Sequence, residues 1–137
     1  MATITGGCLC GKIRYRADAE PKFVSLCHCR DCQRFTGSVF AAVIGLPKAA
    51  VAITGTLKGF TKAGDSGKAI ERRFCPDCGA SIMDEAEALP GIVMIQAGTL
   101  DDPSWVKPGA EIYCASALPW VRFGAEPAMK RFEKAPG

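Results

Sequence analysis

The chain has 137 residues, 48% hydrophobic and 23% charged, with a formal net charge of +3. That length suits one domain over residues 1–137, and the balance argues against long disordered tails. Its basic residues are scattered (Lys12, Arg14, Arg16, Lys58, Lys62, Lys68, Lys130, Arg131), with no run that would mark a nucleic-acid or membrane-surface patch.

The opening MATITGGCLCG lacks the basic start and apolar stretch of a secretory signal, and the longest apolar run, Val39 to Leu46, is too short to span a bilayer. A cytoplasmic protein is expected. Period-two alternation in KIRYRA predicts a first strand, and FVSLC a second. A short helical turn over Arg30 to Phe35 should stop at Gly37. SVFAAVIGL, VAITG, GTLKGFTK, AIERRFC, ASIMDE and GIVMIQAGTL then read as strands, each bounded by Gly, Pro or Asp, and a second helical turn is expected at the C-terminal PAMKRFEK. The prediction is a mainly β chain, without an interdomain linker or an internal repeat.

Eight cysteines in a reducing compartment point to metal or redox sites before disulfides. Cys75-Pro-Asp-Cys78-Gly79 has the form of a metal knuckle: the chain turns tightly, both thiolates face one ion and backbone N–H groups point at the sulfurs. Cys8 and Cys10, flanked by Gly7 and Gly11, supply a matching pair whose sulfurs converge if the segment bends. Four thiolates would close a structural site. Cys27, Cys29 and Cys32 remain as a triplet with the ligand count of an open site. Spacing does not exclude Cys75 or Cys78 as its fourth ligand, nor Cys114, although Cys114 in EIYCAS reads better as a buried thiol.

His28 is the only histidine; between two proposed ligands on an extended segment it should point away from them, towards packing or a substrate contact. Trp105, Trp120 and Phe123 are read as packing. The Glu85/Glu87 and Asp101/Asp102 pairs suit solvated or capping roles better than acid–base work. An iron–sulfur cluster would usually take a fourth cysteine at the triplet. Three thiolates on Zn²⁺ leave one net negative charge, which weakens the ion's action on water and leaves it suited to a soft sulfur ligand. A substrate thiol entering the fourth position would lose its proton, so making or breaking a carbon–sulfur bond is the natural chemistry.

Together these residues resemble a known family, the glutathione-dependent formaldehyde-activating enzymes and the related centromere protein V group. The matching elements are GGCLCGKIRY, CHCRDC with Gly37 after it, Arg72-Arg73-Phe74-Cys75-Pro-Asp-Cys78-Gly79, Gly98-Thr99-Leu100-Asp101 before a proline, and Pro119-Trp120, in family order across nearly the whole chain. The resemblance implies a β-tent fold of coiled antiparallel sheets and two zinc ions, a structural one on Cys8, Cys10, Cys75 and Cys78 and a catalytic one on Cys27, Cys29 and Cys32. It also implies a glutathione-linked carbon–sulfur lyase, forming or cleaving S-hydroxymethylglutathione. Members often carry His-Ile where this chain has Glu111-Ile112, so a contact made through that histidine would be altered here. Arg30, Arg34 and Arg72 could meet glutathione's carboxylates, though solvated surface is the simpler role. The competing function is a non-enzymatic, zinc-stabilised protein-binding module; a nucleic-acid-binding zinc ribbon is disfavoured by the scattered charge.

Overall fold

A computed structural model describes residues 2–124 and 129–136. Eleven strands lie among them, in two sheets. The small sheet has the order β1 (Thr3–Gly7), β2 (Arg14–Asp18), β5 (Val51–Thr54) and is antiparallel throughout. The large sheet runs β11 (Lys130–Arg131), β10 (Ala110–Ile112), β3 (Phe23–Cys27), β4 (Ala41–Pro47), β9 (Ile92–Gln96), β8 (Ser81–Ala86), β7 (Ala69–Phe74), β6 (Lys58–Ala63). Only the β3–β10 and β10–β11 pairings in it are parallel. One short helix, α1 (Arg30–Thr36), follows β3. Among the described residues no helix is long and apolar enough to cross a membrane.

Because side chains alternate along a strand, the large sheet has two unlike faces. Ile44, Leu46, Met83, Val93 and Ile95 share one, and they cluster with Ile4, Ile13, Tyr15 and Ala17 around the small sheet. This is the main apolar core. Burying each large aliphatic there contributes about 1.5–3 kcal/mol. The opposite face carries Ser25, Cys27, Val43, Gln96, Asp84 and Arg72, brought into line by the registers Ser25↔Val43, Val43↔Gln96 and Arg72↔Asp84. These residues are also buried, so this face buries polarity as well as apolar surface.

The C-terminal helical turn expected at PAMKRFEK does not form at Lys130 and Arg131, which are a strand; Pro127 and Ala128 lie outside the described residues. A helix this short is marginal on its own, and the backbone bonds to its neighbour instead: Phe132 N–H donates to Glu111 O at 2.9 Å and Cys114 N–H to Phe132 O at 2.8 Å. The aromatic packing expectation also needs correction. Trp120 is 66% exposed, and Trp105 and Phe123 are each 38% exposed.

Candidate metal centres and the polar face beside them

The sulfurs of Cys8, Cys10, Cys75 and Cys78 lie within 4.8 Å of one another. Cys8 and Cys10 sit on a turn after β1 rather than on a strand, closed by Cys8 N–H to Ile13 O at 3.1 Å, which brings their sulfurs to 3.6 Å. Cys10 is 3.8 Å from Cys75. On the other arm Gly79 adopts φ 77°, a left-handed conformation that closes the Cys75–Cys78 knuckle with Gly79 N–H on Cys75 O at 2.9 Å. Burial raises the Cys8 thiol, but the Ile13 N–H, 3.2 Å from its sulfur, and the neighbouring cysteines outweigh it and bring the pKa down to about 6. A donor-lined set of four sulfurs fits a metal ion.

Cys27, Cys29 and Cys32 form a second group, again within 4.8 Å. Cys27 ends β3; Cys29 caps α1, its sulfur accepting from Cys32 N–H at 3.2 Å, and Cys32 lies in the helix's first turn. Gly37, at φ 70°, stops the helix, its N–H bonding Gln33 O at 2.8 Å. Competition for protons splits the three thiols. Hydrogen bonding from Cys27, then from Cys32, holds Cys29 far below the ordinary thiol range, whereas Cys27 is pushed up to about 12, chiefly by Cys29. This arrangement closes the alternatives that spacing left open: Cys75 and Cys78 group with the N-terminal pair, and Cys114 groups elsewhere. Both cysteine groups could hold a metal ion.

Beside the triplet the polar sheet face gathers Arg72, Asp84 and Gln96, on three adjacent strands. Arg72, expected at the surface, is 6% exposed; Asp84 is 3% and Gln96 6% exposed. Arg34 is exposed, and Arg30 is exposed and donates to Gln33. Among the described residues Arg72 Nε, Asp84 Oδ1 and Gln96 Nε2 have no hydrogen-bond partner, a costly arrangement that marks a place for a polar guest. Burial lifts the Asp84 carboxyl to about 6, against the opposing pull of Arg72 and Gln96. Sequence reasoning missed this trio because Arg72 and Gln96 lie 24 positions apart on strands whose register is not written locally. Only Gln96, the one polar residue of an otherwise apolar strand, gave a signal; β7 carries Glu71, Arg72 and Arg73 and β8 Asp84 and Glu85, so their inward charge does not stand out.

A protein-family model described as glutathione-dependent formaldehyde-activating enzyme matches residues 3–116. The chain belongs to that family. A curated relative, an uncharacterised lyase of Schizosaccharomyces pombe, is 30% identical over 82 residues, 60% of this chain and 57% of the relative. The chain thus spans little more than half of that relative's length. A crystal structure of a Rhodobacter sphaeroides protein superposes with a TM-score of 0.60 at 16% identity, covering 93% of this chain and 98% of that one, which is a likeness of fold.

In this member of the glutathione-dependent formaldehyde-activating enzyme family Glu111 meets His28 directly: His28 Nε2 lies 2.9 Å from Glu111 Oε1. His28 is buried, apart from the triplet sulfurs, with its ring near Phe40 and Phe123. The β6–β7 hairpin is tied to the segments that carry the triplet. Lys62 pairs with Asp31 of α1 at 2.7 Å, and Tyr113 O–H donates to Asp65 in the hairpin loop at 2.9 Å. The carboxylate pairs take the structural roles expected: Glu85 meets Lys48 and Arg73, Glu87 accepts from Ala69 N–H, Asp101 pairs with Arg14, and Asp102 accepts from Ser104.

Proposed function

We propose that this protein is a zinc-dependent carbon–sulfur lyase, or thiol-adduct enzyme, acting on a small thiol such as glutathione through formation or cleavage of its hydroxymethyl adduct. The single observation that carries this reading is the separation of the cysteines into a group of four and a group of three, the latter beside a buried polar face. Residues 1–137 act on this reading as one domain of the β-tent type. Cys8, Cys10, Cys75 and Cys78 hold a structural zinc, and Cys27, Cys29 and Cys32 a catalytic one. When bound at the triplet, zinc supplies a thiophilic Lewis acid with a coordination position left for a sulfur ligand.

The chain's own residues would do the rest. Arg72 sets a cation beside Cys29 and Cys32, offsetting the charge that three thiolates concentrate there. Asp84, whose carboxyl sits near 6, can exchange a proton close to neutral pH. In the cleavage direction the adduct's hydroxyl proton passes to Asp84 Oδ1, the carbon–oxygen bond becomes a carbonyl, and the carbon–sulfur electron pair leaves with sulfur as a thiolate. Addition runs the same steps backwards, with protonated Asp84 as donor and the Arg72 guanidinium facing the developing oxyanion. Burial of the trio limits competing water.

Glutathione and formaldehyde mixed with and without the metal-loaded protein, and followed by exchange NMR, test the reading. Faster adduct formation and breakdown is expected, lost on Cys27→Ser. An unchanged rate would remove this activity and favour the protein-binding module.

A further inference from the structure

We propose that His28, Glu111 and Cys114 form a third cation site, distinct from both cysteine groups, for a divalent thiophilic ion such as zinc. Each residue offers one donor atom, and the three atoms lie within 4.8 Å of one another. The residues are only 1%, 6% and 7% exposed. They come from three segments that the fold brings together. Parallel pairing sets Glu111 opposite Leu26 and Ile112 opposite Cys27, and His28 N–H continues the ladder to Ile112 O at 3.0 Å. Tyr113 then takes a left-handed conformation, φ 55°, immediately before Cys114. A non-glycine residue held there is strained, and surrounding structure must maintain it. Gln33 contributes: its side-chain amide donates to His28 O at 2.7 Å and to Ser116 O at 3.3 Å, tying the His28 and Cys114 segments to one point on α1.

The imidazole itself is only half engaged. Its Nε2 is engaged with Glu111, while Nδ1, fully buried, has no partner among the described residues. Glu111 Oε2 is in turn held by Arg131 Nε at 3.2 Å, so the carboxylate is fixed from behind. An ion shared by the three donors would sit where Nε2 and Oε1 now meet, in place of the proton between them, and the imidazole would carry its proton on Nδ1. The donor set is one nitrogen, one oxygen and one sulfur, which suits zinc better than calcium or magnesium. A thiolate and a carboxylate would balance a dication, so the buried centre would carry no net charge when filled. All three residues also line a pocket of about 680 Å³, which gives the ion a way in and room for water in the remaining coordination position. Neither the four-cysteine nor the three-cysteine group is drawn on, so the proposal stands independently of the lyase reading.

Metal-stripped protein would be reconstituted with zinc, freed of excess by gel filtration and weighed by native mass spectrometry, parent against Cys114→Ala. The variant is expected to carry one zinc fewer than the parent while keeping its circular dichroism. Glu111→Gln should release that same ion at lower chelator concentration than the parent, because the charged oxygen ligand is replaced by a neutral amide. Equal zinc counts in the parent and Cys114→Ala would overturn the site. Should Cys114→Ala fail to fold, cadmium NMR of the parent decides: a resonance from a mixed nitrogen–oxygen–sulfur site, beside the thiolate-rich ones, is expected, and thiolate-rich signals alone would refute it. A parent that carries the third ion yet leaves adduct formation and breakdown unchanged would instead count against the function proposed above and leave this site standing.

Discussion

At the scale of single residues, the decisive feature is that the large sheet buries charge. Asp84 illustrates the consequence. Its carboxyl rises from 3.8 to about 6 on folding because burial disfavours the ionised form. A raised carboxylate pKa means that the folded state holds the proton more tightly than the unfolded chain, so this group lowers stability as pH climbs from about 4 to about 6. A rise of about two units corresponds to roughly 3 kcal/mol at neutral pH. Asp84→Asn is therefore expected to stabilise the protein more at pH 8 than at pH 5, measured as urea midpoints of the metal-loaded forms, and to lose the proposed lyase activity, for which Asp84 takes the proton. The groups facing Asp84 are Arg72 on β7, Gln96 on β9 and the Cys29 thiolate at the start of α1, and of these only Cys29 adds to the upward shift. An Asn variant with the parent's pH dependence would show that Asp84 does not titrate in this range. Aspartate in ASIMDE was legible as part of a strand but not as an inward charge, since which face of β8 meets Arg72 depends on pairing with β7.

At the scale of elements, the small sheet is joined to the large one by polar contacts as well as by the core. Asp101, just beyond the turn that ends β9, accepts from Arg14 Nη1 of β2 at 2.9 Å and from Thr5 Oγ1 of β1 at 2.8 Å. Nearby, Tyr15 O–H meets Thr99 Oγ1 at 2.7 Å. Arg14, followed by Thr5, lowers the Asp101 carboxyl from 3.8 to about 2. Here the sign is opposite to that of Asp84: the contribution to stability is complete above about pH 4 and fades as pH falls towards 2. The parent should exceed Asp101→Asn in urea midpoint at neutral pH, with the gap closing as pH falls from 4 to 2; a gap independent of pH would mean that the ion pair contributes nothing. Eight of the eleven strands were readable, while β1, β10 and β11 were not among those expected. FVSLC is β3 residue for residue, and the turn after CHC runs from Arg30 to Thr36 because Gly37 ends it. The C-terminal segment was misread because PAMKRFEK has helix-compatible residues but too few of them, and β10 offered unpaired backbone groups.

At the scale of the whole molecule, the two cysteine groups play unequal parts. Cys75 is fully buried and belongs to the main apolar cluster, so a metal bound there would tie the N-terminal turn to the core. Cys27 and Cys32 cluster separately, with Ala41 and Val43, on the other side of the large sheet. Cys75→Ser is expected to lose one metal relative to the parent and much of the cooperative unfolding transition, because structural zinc in small domains contributes about 10–16 kcal/mol. Cys27→Ser should also lose one metal yet unfold cooperatively near the parent's midpoint. Native mass spectrometry with thermal melts checks both, and matched melting temperatures for the two variants would contradict the division of roles.

The two cysteine pairs and the triplet were each legible in local sequence, while which of them meet at one point was decided by the fold. Cys-x-Cys between glycines and Cys-Pro-Asp-Cys-Gly each encode a turn within a few residues, and a turn of that kind can present two sulfurs to one point whatever surrounds it. The alternation that predicts strands is equally local. What surrounds the centres was settled only by the tertiary structure. His28 and Glu111 are 83 positions apart, and Arg72, Asp84 and Gln96 lie on separate strands. Their contacts depend on strand order and register, which arise when an apolar face of one sheet finds the other. A period of two says that a residue lies on one of two faces; only packing decides which face is the core and which one buries charge.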